Sequence, residues 1–455
     1  MKPVLSVAEM QAVDAAATDP VDVLIERAGS AVAWAALRML SGTYGKRVVV
    51  VAGKGNNGAD GRSAARRLAE RGVRALIVDA ADAPEVLPAS HLVVDAAYGT
   101  GFRGEYHAPD PNGAPVLAVD IPSGVHGDSG IACHGAVHAT RTVTMGALKP
   151  GLLLADGPDH AGEIVVESIG LNAASNRVHL VEASDVRAWV PRRDREAHKW
   201  RGAVCVIGGS PGLYGAAGLA AAAAQRAGAG MVRLAIPGGT PSGPPKPISS
   251  LGADLPLRHW GKMAIEATER CAAAIIGPGL GRSHDALDNA ADVVAETDIP
   301  LIVDADALDL SIVRREVIKD RDAPVIITPH DAEFNRLAGR YPGEDRIGDV
   351  CALAQSTGCV VLLKGPTTII SDPSGRVLLS NAGDQRLATG GTGDVLSGVL
   401  ASFCARGVPA FEAAAAAAYV HGIAGRLGPQ DGLVADDLLP LLPVALAQVF
   451  DADPV

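Results

Sequence analysis

Short apolar runs rich in β-branched residues recur along this chain, and stretches of helical character separate many of them. In the first half, four such runs are predicted as short buried strands: Arg47–Ala52, Ala75–Asp79, Leu92–Asp95 and Val116–Asp120. A helical segment, Gly61–Arg71, separates the first two. Because strands that alternate with helices form parallel sheets with helices on their faces, the pattern predicts an α/β fold.

Three of these predicted strands end in aspartate, at Asp79, Asp95 and Asp120. In open α/β sheets the ligand crevice lies beyond the carboxyl ends of the strands. The three carboxyl groups are therefore candidates for a site by position alone. The alternative is that they only cap the turns that follow the strands.

The alternation stops over Gly157–Arg195 and resumes at Gly202, which predicts a domain junction between residues 180 and 195. A chain of 455 residues with 48% hydrophobic content is long enough for two or more domains with large cores. We therefore predict two domains, residues 1–185 and 186–455. The elements predicted in the second are a helix, Ala216–Ala227, and the strands Ala203–Ile207, Met231–Ala235, Ala273–Ile276, Leu301–Val303, Val325–Thr328, Val360–Leu363, Thr367–Ile370 and Val377–Leu379.

The charge and cysteine content exclude several classes of partner. A net charge of −11 argues against nucleic acids and anionic membranes, which attract basic surfaces. The apolar runs, such as Leu213–Ala224, are too short to span a membrane. Six cysteines occur singly, which disfavours a zinc site or a disulfide framework and favours a reduced, cytoplasmic setting. Alanine-rich helices near the C-terminus favour a homo-oligomer.

A glycine-rich segment, Gly53–Gly61, follows the first predicted strand and leads into a helix. A strand, a glycine loop and a helix N-terminus together suit the phosphates of a dinucleotide, although the spacing of the ordinary dehydrogenase fingerprint is absent. Two further loops, Gly99–Glu105 and Asp120–Gly124, lie after the later strands.

Three side chains of these segments, Asn57, Asp95 and Ser123, would converge at neighbouring strand ends. One carboxylate with neutral oxygens suits a weakly held monovalent cation better than magnesium. The alternative is that the segments are three ordinary turns.

Near the C-terminus, Thr389–Asp394 holds three glycines and two threonines, and it leads into an apolar run, Val395–Cys404, that predicts a buried helix. A glycine-rich turn that opens a helix directs several backbone N–H groups and the positive helix end at one point, which makes an anion site. Asp394 adds a carboxylate that can act as a base beside the anion. The alternative is a turn in which Asp394 only caps the helix.

Other polar segments of the second half follow predicted strands, so all could open onto one sheet edge. Lys364 can offer a point charge to a nucleotide phosphate, and His330 lies in a Pro-His turn at a strand end. The same groups would serve a kinase as well as a dehydratase. The segments are Gly208–Ser210, Gly277–Gly281, Asp304–Asp306, Thr328–Phe334 and Lys364–Thr368.

The N-terminal motifs GNNGAD, VVDAAYGTGFRGE and VDIPSG resemble the epimerase half of the bifunctional NAD(P)H-hydrate repair enzymes. The resemblance implies a Rossmann-like three-layer domain, a potassium ion held by Asn57, Asp95 and Ser123, and Asp120 as the acid/base that interconverts the two hydrate epimers. Where the family usually has NNGGD, this chain has Ala59, so the backbone there must be right-handed or slightly strained. The implied hydrate contacts are Asn56, Asn57, Gly58, Ala59, Asp60, Gly99, Thr100, Gly101, Phe102, Arg103, Gly104, Glu105 and Asp120.

From about His198 to His421 the chain resembles the ribokinase-like dehydratase half of the same enzymes. The resemblance implies that ADP with magnesium, rather than ATP, phosphorylates the hydroxyl of the S-hydrate, after which phosphate leaves. Asp394 would deprotonate the hydroxyl, and the N–H groups of Gly391, Thr392 and Gly393 would stabilise the transferring phosphate. The other implied contacts are Lys364, Gly365, Pro366, Thr367, Thr368 and Gly393 for the nucleotide, and Ala217, Gly279, His330 and Asp394 for the hydrate.

We therefore expect an enzyme that epimerises NADH-hydrate and NADPH-hydrate and dehydrates the S form with ADP. One alternative is a ribokinase-like kinase of a small molecule, such as a vitamin precursor, with an accessory N-terminal domain. Such a kinase would accumulate a stable phosphorylated product, whereas the dehydratase would release free phosphate. A second alternative makes the N-terminal half a non-catalytic binding module.

Overall fold

Two β-sheets, one in each half of the chain, organise the fold. The computed structural model describes residues 1–173, 177–239, 250–309, 313–318 and 320–451. Its residues separate into two compact units, Lys2–Val178 and His179–Val455. Within the described ranges, no helix combines the length and apolar character needed to cross a membrane.

The N-terminal unit is built on a parallel sheet. Its elements are β1 (Lys2–Val4), α1 (Val7–Ala15), α2 (Val21–Leu40), β2 (Arg47–Ala52), α3 (Asn56–Glu70), β3 (Arg74–Asp79), β4 (Leu92–Ala96), β5 (Val116–Val119), β6 (Arg141–Met145), α4 (Gly157–Ala161) and β7 (Glu163–Glu167). The strand order is β3-β2-β4-β5-β6-β7, and all neighbouring pairs are parallel.

The central strands are runs of valine, leucine and alanine because both faces of the sheet are covered. Helices α2 and α3 pack on one face, and loop residues such as Leu87, Phe102 and Tyr106 cover the other. β3 was expected to be buried, but it is the edge strand and most of its residues are exposed or half-buried.

Some boundaries in this unit differ from those predicted. Helix α3 begins at Asn56 instead of Gly61, because Gly55 serves as its N-cap and the asparagines form its first turn. Strands β6 and β7 lie outside the predicted set, and β7 falls within Gly157–Arg195, where the pattern was expected to stop. β7 is only five residues long and has three apolar residues between two glutamates, a weak signal for a strand.

The C-terminal unit is a larger sheet between two layers of helices. Its elements are β8 (Val178–Leu180), α5 (Ala183–Trp189), β9 (Ala203–Ile207), α6 (Tyr214–Arg226), β10 (Met231–Pro237), β11 (Leu251–Leu255), α7 (Gly261–Thr268), β12 (Ala273–Ile276), α8 (His284–Glu296), β13 (Leu301–Val303), α9 (Arg315–Ile318), β14 (Val325–Ile327), α10 (Asp331–Ala338), α11 (Arg346–Thr357), β15 (Val360–Leu363), β16 (Thr368–Ser371), β17 (Val377–Ser380), α12 (Thr392–Ala405), α13 (Ala410–Leu427) and α14 (Ala435–Asp451).

The strand order in this unit is β8-β17-β16-β15-β14-β13-β12-β9-β10-β11. Strands from β11 to β15 in this order are parallel, whereas β15, β16 and β17 form an antiparallel meander. Helices α6, α12, α13 and α14 share one core with the sheet. The predicted strands match the observed ones to within two residues, and α12 begins at Thr392, before the predicted start at Val395.

Candidate active sites

A cavity of about 510 Å³ lies at the carboxyl ends of β2, β4, β5 and β6 in the N-terminal unit. Residues that follow these four strands line it, as expected for an open α/β sheet. The predicted residues that line the cavity are Asn56, Asn57, Asp60, Gly99, Thr100, Gly101, Phe102 and Asp120. Those that do not are Gly58, Ala59, Arg103, Gly104 and Glu105.

Gly58 and Ala59 shape the first turn of α3. A Cβ atom at Gly58 would lie 1.9 Å from the carbonyl oxygen of Gly53, so only glycine permits this approach of helix to strand end. The N–H of Ala59 donates to the carbonyl of Gly55, and its backbone is right-handed. Alanine at this position therefore needs no strained backbone.

Asp95 and Ser123, two of the predicted potassium ligands, are in direct contact and almost fully buried. Asp95 accepts hydrogen bonds from the backbone N–H of Ser123 at 2.8 Å and from its hydroxyl at 2.7 Å. Burial raises the pKa of Asp95 to about 6, although these hydrogen bonds act in the opposite direction. The Ser123 Oγ in turn accepts from the N–H of Tyr98 at 2.8 Å.

Asn57, the third predicted ligand, lies beside Gly99, the residue after Tyr98. Within the described residues, its Nδ2 is buried and has no hydrogen-bond partner. The orientation of an asparagine amide is assigned from its hydrogen bonds, so either the oxygen or the nitrogen of this amide can be the atom without a partner. A buried amide without a partner is costly, and a ligand oxygen or a cation would relieve that cost.

Asp120 lies at the bottom of the cavity with a positive φ of 69°, which is uncommon for a residue with a side chain. Its Oδ1 accepts from Lys149 Nζ at 2.5 Å, from Thr144 Oγ1 at 3.2 Å and from the Met145 N–H at 3.3 Å. Lys149 also lines the cavity but was not among the predicted site residues. Its only sequence signal is a lysine within an otherwise apolar segment.

Two further carboxyl groups, Asp60 and Asp14, line the same cavity. Burial raises the pKa of Asp60 to about 8, and the negative charges of Asp120 and Asp14 act in the same direction. Burial also raises the pKa of Asp14. Asp60 therefore keeps its proton near neutral pH.

In the C-terminal unit, one residue from each of four predicted polar segments follows one of four adjacent parallel strands: Gly279 after β12, Asp304 after β13, His330 after β14 and Lys364 after β15. The topology thus brings them to one edge of the sheet. The N-terminus of α12 lies over the same edge, because Ser397 in this helix donates to Oδ2 of Asp304 at 2.7 Å.

The start of α12 has the form expected of an anion site. Gly391 is the N-cap with a positive φ of 91°, and a Cβ atom there would lie 2.7 Å from Leu219. The Thr392 hydroxyl donates to the carbonyls of Leu387 and Thr389, which fixes the turn. The first N–H groups of a helix have no partner within it, so those of Thr392 and Gly393 are available to a ligand.

Lys364 supplies a positive charge next to this helix end. Its Nζ lies 3.5 Å from the position that a Cβ atom of Gly393 would occupy. It is also paired with Asp304 at 3.0 Å and with Glu333 at 3.5 Å. Burial alone would raise the pKa of Asp304, but Lys364, Ser397 and Thr328 together hold it below its ordinary value.

Asp394 lies half-buried in the first turn of α12. Burial, followed by the negative charge of Asp304, raises its pKa to about 7. A carboxyl group with such a pKa can accept a proton near neutral pH and release it again. Three nearby residues were absent from the predicted site residues: Asp304 and Glu333, which pair with Lys364, and Ser397, which donates to Asp304. Only the position of Asp304 at a strand end gave a signal.

The remaining predicted residues take varied positions. His330 caps α10, and its Nδ1 accepts from the N–H groups of Ala332 and Glu333, while 53% of its side chain is exposed. Ala217 is buried in α6 next to Gly208 and Gly209. The carbonyl of Gly279 accepts from the Ser210 hydroxyl at 3.0 Å. After Lys364, Gly365 and Pro366 are exposed, Thr367 is buried and Thr368 begins β16.

Each unit thus carries a polar site at the carboxyl edge of a parallel sheet, with a carboxyl group placed for proton transfer, which defines a two-site enzyme of the α/β class. Residues 204–443 match the family model of NAD(P)H-hydrate dehydratase, and residues 21–87 and 78–151 match that of the YjeF-related protein N-terminus. The chain belongs to the family of bifunctional NAD(P)H-hydrate repair enzymes.

Relatives and a solved structure agree with this assignment. The bifunctional NAD(P)H-hydrate repair enzyme Nnr of Mycobacterium leprae is 37% identical over 90% of both chains. That of Salinibacter ruber is 34% identical over 98% of this chain and 97% of its own. The structure of the ADP/ATP-dependent NAD(P)H-hydrate dehydratase from Bacillus subtilis, co-crystallised with ATP and Mg²⁺, covers 59% of this chain and 97% of its own, with 29% identity and a TM-score of 0.50.

Proposed function

We propose that this chain repairs NADH and NADPH hydrates at two separate sites. The N-terminal site interconverts the R and S hydrates, and the C-terminal site returns the S hydrate to NAD(P)H at the expense of ADP, giving AMP and phosphate. The observation that carries the proposal is the arrangement of Asp394, Lys364 and the α12 N-terminus, which combines a base with an anion site.

In the C-terminal site we assign one task to each group. Asp394 takes the proton of the hydrate hydroxyl, whose oxygen then attacks the terminal phosphorus of the nucleotide. The N–H groups at Gly391, Thr392 and Gly393 stabilise the charge that develops on the transferring phosphate. Lys364 neutralises the phosphates as a point charge. Phosphate is a far better leaving group than hydroxide, so its C–O bond breaks, a proton leaves the adjacent ring carbon to solvent, and the double bond of the dihydronicotinamide is restored.

Magnesium would accompany the nucleotide. The described residues contain no group of three or more acidic, histidine or cysteine side chains that could hold a metal. We therefore assign most of its ligands to the phosphates and water, as is common for magnesium at nucleotide sites. ADP is the preferred donor, and ATP is the alternative.

In the N-terminal site, Asp120 would be the acid/base, and potassium would bind beside Asp95, Ser123 and Asn57. The buried amide of Asn57 and the hydrogen-bonded pair of Asp95 and Ser123 offer one carboxylate with neutral oxygens, which fits a monovalent cation. The ion would organise the loops around the cavity. Free cysteines at all six positions suit a reducing, cytoplasmic compartment. A homo-oligomer also stays a prediction.

The test is the recovery of dihydronicotinamide absorbance from a mixture of R and S hydrates with ADP, magnesium and potassium. Full recovery supports both activities, and recovery that stops at the S fraction supports the C-terminal activity alone. Replacing potassium by tetramethylammonium should slow only the conversion of the R fraction. Accumulation of a stable phosphorylated product, with no free phosphate, would instead favour the small-molecule kinase.

A further inference from the structure

Lys149 is a buried lysine in the wall of the N-terminal cavity, in the loop that follows β6. Only 1% of its side chain is exposed. Burying an ammonium group is costly unless it is paired and hydrogen-bonded. Here each of its three N–H donors has an acceptor: Oδ1 of Asp120 at 2.5 Å, Oγ1 of Thr144 at 2.8 Å and the carbonyl of Met145 at 2.8 Å.

The two carboxylate oxygens of Asp120 differ in their hydrogen bonds. Lys149, the Thr144 hydroxyl and the Met145 N–H all approach Oδ1. Among the hydrogen bonds between described residues, none reaches Oδ2 of Asp120. One oxygen is therefore fixed to the protein, and the other remains available to a ligand in the cavity.

The other carboxyl groups of the cavity show why a cation matters there. Asp60 lines the same cavity without a salt bridge to any described residue, and burial raises its pKa to about 8. Burial raises the pKa of Asp14 as well. Burial thus favours the protonated forms of Asp60 and Asp14, whereas Asp120 is in direct contact with the ammonium group of Lys149.

We propose that Lys149 is the positioning residue of the epimerase site, which binds Oδ1 of Asp120 and presents Oδ2 to the hydrate as the proton acceptor. The inference rests on the proposed role of Asp120. The proton moves from the ligand to Oδ2 and returns from there, while Lys149 keeps all three of its protons. The ion pair also holds Asp120 in its left-handed backbone conformation.

The experiment measures conversion of the R hydrate by the full-length Lys149→Met variant, above the spontaneous rate. We expect kcat to fall on the order of 100-fold, as for loss of a general base, with KM unchanged because all three N–H donors of Lys149 bind protein groups. The double variant with Asp120→Asn should be no slower than Asp120→Asn alone. Lys46→Met, at the amino end of β2, is the matched control and should retain full activity.

Thermal unfolding and dehydration of the S hydrate by the same chain report whether the variant is folded. If Lys149→Met does not fold, Lys149→Gln takes its place, because glutamine keeps an N–H donor without the charge. The same fall in kcat with unchanged KM is expected for it. A folded variant with unchanged kcat, beside an inactive Asp120→Asn, would overturn the inference and leave the proposed function intact. A fully active Asp120→Asn would instead remove the proposed role of Asp120, and the inference with it.

Discussion

Asp394 lies at the start of helix α12, and Asp120 follows strand β5. The two carboxyl groups have different surroundings. Asp394 is half-buried near a second carboxylate, Asp304, and its pKa is raised to about 7. Asp120 is instead bound to the ammonium of Lys149. Burial of a carboxyl group and its pairing with a buried ammonium group are both environments found at catalytic sites. The two residues are therefore the first to examine.

The pH dependence of the dehydratase follows from Asp394. A base must be ionised before it accepts a proton, so protonation below a pKa of about 7 removes activity. We expect kcat/KM for the S hydrate, at saturating ADP, to rise as pH increases through this value and then level off. Initial rates measured across this pH range test the prediction. The control is Asp288→Asn, a variant at an exposed position of α8 that should keep the pH profile of the natural protein. A profile that is flat through pH 7 would contradict the role of Asp394.

Asp60 makes a prediction about stability. Its pKa is raised from 3.8 to about 8 in the folded state, so the folded protein keeps a proton that the unfolded chain releases. The stabilisation is fully present below the unfolded value and is lost as pH rises through the folded one. Asp60→Asn cannot ionise, so its unfolding temperature relative to that of the natural protein should increase with pH across this window.

Calorimetry of the full chain measures the unfolding temperatures of Asp60→Asn and of the natural protein at several pH values between 3.8 and about 8. Asp82→Asn, at an exposed position, is the control and should show no such trend. A difference between Asp60→Asn and the natural protein that stays constant with pH would mean that Asp60 is ionised in the folded state.

At the scale of elements, the strands were predictable and the polar networks were not. Buried parallel strands are continuous apolar runs, so Ala273–Ile276 and Leu301–Val303 could be read from sequence without error. Lys149 and Asp304 could not be recognised as site residues, because their partners Asp120 and Lys364 lie 29 and 60 residues away. Such pairs form only when the sheet brings separate strand ends together.

The starts of helices α3 and α12 were also predicted inaccurately from the sequence. Glycine and asparagine suggest loops, yet α3 and α12 take these residues into their first turns. The reason is that each helix N-terminus must approach a strand end or a ligand closely, which favours residues without bulky side chains. The capping box of Ser6 and Glu9 at the start of α1, by contrast, is a purely local feature, because its two partners are three residues apart.

The first turn of α3 offers a matched pair of substitutions. Gly58→Ala would place a methyl group 1.9 Å from the backbone oxygen of Gly53, and only movement of the helix could relieve that contact. We expect a loss of stability of about 1–3 kcal/mol and loss of epimerase activity. Ala59→Gly restores the usual residue of the family and should cost about 0.5–1 kcal/mol in helix propensity with activity unchanged.

Thermal unfolding and R-hydrate conversion of the two α3 variants check this pair. The result that contradicts it is a Gly58→Ala variant as stable and active as the natural protein, because the helix would then not depend on close contact at Gly53. Lower activity in Ala59→Gly than in the natural protein would show that Ala59 is itself adapted to this site.

For the whole molecule, the two units each contain a complete set of candidate groups. Among the described residues, those that line the cavity of the N-terminal unit all lie between Met10 and Leu171, and the charged groups that shift the pKa of Asp394 all belong to the C-terminal unit. Each activity should therefore be removable without the other. The family assignment does not by itself predict that the two activities are separable. The prediction comes from the location of the two sets of candidate groups in separate units.

The prediction uses two single variants of the full chain, Asp120→Asn and Asp394→Asn, on a mixture of R and S hydrates with ADP. Asp120→Asn should recover the S fraction and then slow to the spontaneous rate of epimerisation, and Asp394→Asn should recover nothing. Each loss should be on the order of 10²–10⁴-fold, as for removal of a general base. An equimolar mixture of the two proteins should recover the whole absorbance, because each supplies the site that the other lacks. Failure of the mixture, with both variants folded, would mean that the two sites must act within one chain.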